Sequence, residues 1–139
     1  MIAADIPDVI QLWYDTPGMG LNDADDSPES IRRFIDSNPT TCFVAEEDSL
    51  LIGCVLCGHD GRRATIYHLA VHPDARRQGV GRKLVDACMS AMSDENITKA
   101  RLYVFATNET GNAFWESIGF TARDDLVLRN KNICTDSDC

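Results

Sequence analysis

The chain has 139 residues, 44% of them hydrophobic and 25% charged, with a formal net charge of −9, the size and composition of one ordinary globular domain. No apolar run reaches the ~18 residues that a membrane span requires, and so acidic a surface repels the phosphate backbone of nucleic acid. The opening MIAADIPDVI has an early Asp5 and no basic flank, so it does not read as a signal peptide and the cytoplasm is the expected compartment.

In chain order, Asp5 is placed to cap a helix that begins at Ile6-Pro7, with Ile6, Val9, Ile10 and Trp13 at helical spacing. A loop rich in Gly and Asp follows, TPGMGLNDADD. Ser27, Pro28 and Glu29 start a second helix whose apolar stripe is Ile31, Phe34 and Ile35. After Asn38-Pro39 the period changes to that of strands: TCFVAEE, an EEDS turn, then LLIGCVLCG. His59-Asp60-Gly61-Arg62 predicts a hairpin turn into the strand ATIYHLAV. HPDARRQGVGR is a loop that opens a third helix with Leu84, Val85, Cys88, Met89 and Met92 as its apolar set, ended by Asn96. ARLYVFA predicts a strand, residues 109–118 a fourth helix ended by Gly119, and FTAR and LVLR two further strand-like pieces. The order α-α-β-β-β-α-β-α-β describes a mixed α/β sheet covered by helices on both faces. It is read as a single domain over residues 1–129 with a polar tail, 130–139.

Six cysteines stand at 42, 54, 57, 88, 134 and 139. Cys54 and Cys57 imitate a C-x-x-C, yet in a strand their odd spacing sends them to opposite faces. No second pair or His set completes a metal site, so no metal is expected. They read as small buried hydrophobes, and Cys134 and Cys139 as free thiols of the tail.

Positive charge is scarce but concentrated: Arg76, Arg77, Arg82 and Lys83 fall together, which suggests a small anionic ligand. The segment from His68 to Val85 is a buried strand, a loop and a helix start. Gly79 and Gly81 let a ligand approach the backbone. The first N–H groups of the helix have no internal partners and, with the helix dipole, make an anion site. The segment is neither a dinucleotide fingerprint nor a P-loop, since the third glycine and the Gly-Lys-Ser/Thr are missing.

Here the sequence resembles the GNAT acetyltransferase family, which carries Arg/Gln-x-x-Gly-x-Gly/Ala between its fourth strand and third helix. Arg76-Arg77-Gln78-Gly79-Val80-Gly81 fits that pattern, Leu69-Ala70-Val71-His72-Pro73 is similar to the strand before it, and Asn108 with Ala113-Phe114-Trp115-Glu116 and Gly119-Phe120 is similar to the family's second cofactor segment. The resemblance covers residues 3 to 129. It implies the GNAT acyl-CoA N-acyltransferase fold and transfer of an acetyl group from acetyl-CoA to a primary amine. It further implies that the amides from Arg77 to Arg82, with Lys83 beside them, hold the CoA pyrophosphate. By the same resemblance Leu69 and Val71, flanking Ala70, pair with the pantetheine amides, and Asn108 contacts the cofactor arm.

Two features depart from the family. Only MIAA precedes the first helix, so the family's first strand is expected to be short or missing. Many members place a Tyr where this chain has Trp115, and an indole N–H has no useful acidity; Trp115 is therefore a sulfur-facing donor or a packing residue. An amine of pKa ~10.4 must be freed of its proton, at a cost of roughly 4–5 kcal/mol at pH 7, and a positioned base offsets part of this. His68, on the face shared with Ala70, is the first candidate; Glu46 on the preceding strand is the alternative, with His59 and His72 weaker, and Tyr67 and Tyr103 are considered as weaker proton donors. The acceptor pocket is expected from the first interhelical loop, with Trp13, Tyr14, Met19, Asp23, Asp25 and Asp26, whose charge suits a cationic amine. The expected partner is a small-molecule or peptide amine; nucleic acid and membrane are not expected, and a homodimer is left open. The alternative reading is a non-catalytic acyl-CoA-binding sensor or interaction module.

Overall fold

Capping and turn residues set the local structure of the computed structural model, which describes residues 1–133. The contacts divide the chain into two units, Met1–Phe105 and Ala106–Cys139. In the first unit, α1 (Ile6–Tyr14) and α2 (Pro28–Ser37) precede the strands β1 (Phe43–Glu47), β2 (Leu50–His59) and β3 (Ala64–Val71); α3 (Val80–Asp94) and the short strand β4 (Ala100–Leu102) complete it. The second unit contains α4 (Glu109–Ser117).

Ser27 caps α2 as its sequence predicts, accepting a hydrogen bond from Ser30 N at 3.2 Å. Asp5 behaves differently. Its carboxylate accepts from Ile2 N at 2.8 Å, closing a 3-10 turn, Ala3–Asp5, and gives α1 no side-chain cap. No strand precedes α1 among the described residues; the terminal amine instead donates to Cys42 O at 2.9 Å.

The sheet runs β1-β2-β3-β4, antiparallel except for the parallel pair β3–β4. Asp48 and Ser49 both take positive φ, 51° and 66°, the conformation a two-residue hairpin requires. The Asp60-Gly61 turn also forms, with the Asp60 carboxylate accepting from Arg62 N and Arg63 N. These bonds hold that carboxyl below its ordinary range. The strand read from ARLYVFA stops at Leu102. The strand-like FTAR and LVLR form no strand: no strand pairing involves them among the described residues, and Leu126, Val127 and Leu128 are 64%, 77% and 60% exposed. β-propensity by itself supplies no pairing partner.

α1 and α2 cover one face of the sheet, where Ile6, Val9, Leu12, Trp13, Ile31 and Ile35 pack on Cys54, Leu56 and Ala70. α3 covers the other, with buried Leu84, Val85, Cys88 and Met92. Asn96, at φ 62°, ends α3 with Asn96 N bonded to Ser93 O and Ile97 N to Met92 O, a glycine-type stop achieved by asparagine.

Cys54 and Cys57 do point to opposite faces. Cys54 lies by Trp13 and Cys57 by Cys88. Cys42, Cys54, Cys57 and Cys88 are buried free thiols; Cys134 and Cys139 lie outside the described residues. Burial raises the Cys54 thiol from 9.0 to about 12 and the Cys42 thiol to about 11. The folded state thus favours neutral thiols. Their stabilisation is complete below 9.0 and is lost as pH rises towards about 11–12, because the unfolded chain releases those protons first. Alkylation mapped by mass spectrometry should accordingly spare these four thiols in the folded protein near neutral pH and reach them in urea. Modification of Cys54 in the folded protein would contradict its burial.

Candidate active site

The loop into α3 combines backbone and charge properties suited to an anion. Gly79 is the N-cap residue in a left-handed conformation (φ 77°, ψ 12°) and supplies no side-chain cap. The first helical bond runs from Lys83 N to Gly79 O at 3.0 Å, which leaves the N–H groups of Val80, Gly81 and Arg82 without helical partners. No acidic residue occupies this first turn. Arg77 is also left-handed, at φ 66°, and residues 76–79 are exposed. The ion pairs among the described residues use Arg32, Arg123 and the three histidines, and so leave Arg76, Arg77, Arg82 and Lys83 available to an anion.

β3 leads into this loop with one edge partly open. His72 N donates to Ile52 O at 2.7 Å. By the alternation of an antiparallel pair, Ala70 also turns its polar backbone groups to β2, and those of Leu69 and Val71 turn to the opposite edge. There the pairing with β4 covers only Ala64, Thr65 and Ile66. Leu69 and Val71 therefore present backbone donors and acceptors to the stretch left unpaired by β4.

A bulge interrupts β3. Ala70 opposes Cys54 and Tyr67 opposes Leu56, so His68 and Leu69 together face the single residue Val55. His68 takes φ 50°. Its ring packs edge-on against Trp13, centroids 4.8 Å apart, and its Nε2 lies 2.7 Å from Asp26 Oδ1. Tyr67 packs against Phe34 of α2, at 5.6 Å, so the bulge brings Tyr67 and His68 to the same face as Ala70. The His68 and Asp26 side chains are 21% and 11% exposed. Asp26 Oδ2 also accepts from Asn22 N at 2.7 Å. Trp13 Nε1 is buried without a hydrogen-bond partner among the described residues; the neighbouring Cys54 sulfur feels the N–H outside hydrogen-bond geometry.

Asp26 and Trp13 also line a cavity of about 270 Å³ with Ile10, Tyr14, Leu21 and Asp23. Of the residues expected in an acceptor pocket, Trp13, Tyr14, Asp23 and Asp26 line it and Met19 and Asp25 do not. Asp23 and Asp26 are the carboxylates that line this cavity. Phe105 lies against the same loop, its ring meeting any side chain added at Gly20.

The other candidate bases lie elsewhere. Glu46 lines a second cavity, of about 340 Å³, with Gln78, Val80, Lys83 and Leu84 of the α3 side. His59 has both ring nitrogens engaged, Nε2 with Glu95 at 2.7 Å and Nδ1 with Gly61 N at 2.9 Å. His72 Nδ1 accepts from Asp74 N and caps a short turn. Tyr103 is exposed.

In the second unit, Asn108 caps α4 through Oδ1, which accepts from Gly111 N at 2.9 Å; its amide NH₂ is the group left to meet a ligand. Trp115 is half-buried and packs edge-on against Phe114 and Phe120, with centroids 5.0 and 5.2 Å away. Phe120 N donates to Trp115 O at 2.9 Å, and Gly119 at φ 98° closes the helix.

The sequence profile of the Acetyltransferase (GNAT) family matches residues 6–120. An acetyltransferase of Sodalis glossinidius is 27% identical over 134 residues, spanning 96% of this chain and 93% of its own. Among solved structures, Ard1 from Thermoplasma volcanium superimposes with a TM-score of 0.77 at 23% identity, covering 87% of this chain and 79% of that one. The PaiA N-acetyltransferase from Thermoplasma acidophilum, solved in complex with coenzyme A, gives 0.76 at 20% identity, covering 89% and 88%.

Proposed function

Because this chain belongs to the acetyltransferase (GNAT) family and is an acyltransferase, we propose that it moves an acetyl group from acetyl-CoA to a primary amine by direct attack of that amine. The observation that carries the donor is the uncapped start of α3 beside unpaired cations. It suits a diphosphate, and the open edge of β3 beside it suits an extended arm bearing amides. The PaiA relative with coenzyme A bound supports the same donor.

In this reading Val80, Gly81 and Arg82 donate backbone N–H groups to the pyrophosphate, and Arg76, Arg77 and Lys83 neutralise it. Gln78 and Gly79 shape the turn. Leu69 and Val71 bind the amide-bearing arm, and the Val71 N–H is the donor for the carbonyl oxygen on which charge develops. Acetyl-CoA, when bound, supplies the acyl group as an activated thioester. His68 takes the proton from the amine. The acceptor cavity holds the amine, with Asp23 attracting a second positive charge and Trp13 and Tyr14 as walls. Glu46 is set aside as the base in favour of His68, because it lines a different cavity. The test is thiol release from acetyl-CoA across polyamines, amino acids, aminoglycosides and peptides. At least one cationic amine should accelerate it well above solvent hydrolysis; parity with hydrolysis for every amine would defeat the assignment.

Trp115 is read as a packing residue, with its ring set among Phe114 and Phe120 and its carbonyl closing α4. Phe preserves those contacts, so Trp115→Phe should leave kcat within a few-fold and act mainly on KM. A loss of kcat beyond about 10²-fold with coenzyme A binding intact would instead make the indole N–H a catalytic donor.

A further inference from the structure

His68 occupies a backbone conformation uncommon for any residue but glycine, and such positions persist only where the surroundings hold them. Two groups hold this one. Trp13, 1% exposed, fixes the plane of the ring from its edge. Asp26 fixes which nitrogen carries the proton. A carboxylate only accepts, so its 2.7 Å contact with Nε2 calls for Nε2–H, and the neutral ring then keeps its lone pair on Nδ1. Nothing among the described residues occupies Nδ1 of His68, whereas Nδ1 of His59 and of His72 each accept a backbone N–H.

We propose that Asp26 is a positioning residue for the transfer reaction, its carboxylate holding the His68 imidazole with Nδ1 as the unprotonated, proton-accepting nitrogen. The inference rests on the reading of His68 as the base. It adds that the base is assembled by the acceptor loop itself. One oxygen of Asp26 closes that loop on Asn22 N at 2.7 Å and the other reaches across to the bulge of β3. A loop that opens therefore releases the imidazole as well, and the base is oriented only when the wall of the acceptor cavity is in place.

Asparagine cannot reproduce both contacts. It has one acceptor oxygen for two N–H donors, and its NH₂ must face either Asn22 N–H or His68 Nε2. If it faces His68, Nε2 has to accept and the proton moves to Nδ1, which removes the base. Asp26→Asn should lower kcat by about 10–10²-fold while coenzyme A still raises the melting temperature as it does in the parent. Nitrogen-15 spectra of the imidazole should show one Nε2–H tautomer in the parent and its loss in the variant. Asp26→Glu, which keeps both acceptors, should retain more of the rate and of the tautomer. A parent-like kcat in Asp26→Asn would overturn the proposal. So would a slow Asp26→Asn that keeps the Nε2–H tautomer, which would make Asp26 only a loop contact. Should Asp26→Asn not fold, Asp26→Glu and its spectrum decide by the same criterion. His68→Asn separates the two levels: a parent rate there defeats the base itself, whereas a slow His68→Asn beside a parent-like Asp26→Asn defeats only the role of Asp26.

Discussion

Replacing Gly81 by Asp is expected to abolish the thermal stabilisation that coenzyme A gives the parent protein. Gly81 lies in the first turn of α3, where three N–H groups lack helical partners and the turn itself carries no acidic residue. An aspartate there supplies a resident negative charge at the place assigned to the pyrophosphate. It repels the ligand and accepts the N–H groups that the ligand needs. Ligand at about 100 times its Kd stabilises a protein by about 2.7 kcal/mol, roughly a 10 °C rise in Tm for a domain of this size. That rise should vanish in the variant. The ligand-free Tm should hold or increase, since an acidic residue at a helix start is favourable by about 0.3–1 kcal/mol and Gly is a poor helix former. Loss of the shift therefore reports the site and not damage to the fold. A Gly81→Asp variant that keeps the parent's shift would move the phosphate site away from this turn.

Removing the His68 imidazole is expected to lower kcat by about 10²-fold or more at neutral pH, with stabilisation by coenzyme A unchanged. His68→Ala removes the imidazole but leaves a Cβ at φ 50°. His68→Asn suits that backbone better, since asparagine tolerates the left-handed region, and its amide cannot serve as a base. Both variants should regain rate at high pH, where free amine of pKa ~10.4 becomes abundant. A near-parent rate at neutral pH would hand the proton to Glu46 or to bulk solvent; His59 is excluded because both its nitrogens are engaged.

The parts of this fold that were legible in the sequence are those written locally. Ser27 before Pro28, Asp60-Gly61, Asn96 and Gly119 each mark a boundary through the conformation or hydrogen bond that one residue type supplies best. The loop into α3 was legible from its glycines among clustered cations, and Gly79 takes the left-handed conformation there. The pairing of His68 with Asp26 was not legible, because a separation of 42 residues is closed by tertiary structure and carries no spacing signal. The bulge at His68 was hidden too. Strict alternation accounts for Ala70 and His68 on one face, but it cannot announce that Tyr67 joins them through an inserted residue. Asp5 reads as a helix cap by sequence, and the nearby Ile2 N–H draws it instead into closing a 3-10 turn. FTAR and LVLR have the composition of strands, which is a preference for a half-buried pleated surface and not a partner.

The groups gathered on β3 and the start of α3 are proposed to transfer an acetyl group and not merely to hold its carrier. The most direct measurement is a mass-spectrometric count of products with acetyl-CoA and the fastest amine from the acceptor panel. The expected result is one acetylated amine for each coenzyme A thiol released, an unmodified protein at every time point, and a rate that collapses in His68→Asn. Acetyl-CoA that raises Tm through the Gly81 turn while every amine in the panel stays unmodified would contradict it, and would leave the protein as an acyl-CoA sensor.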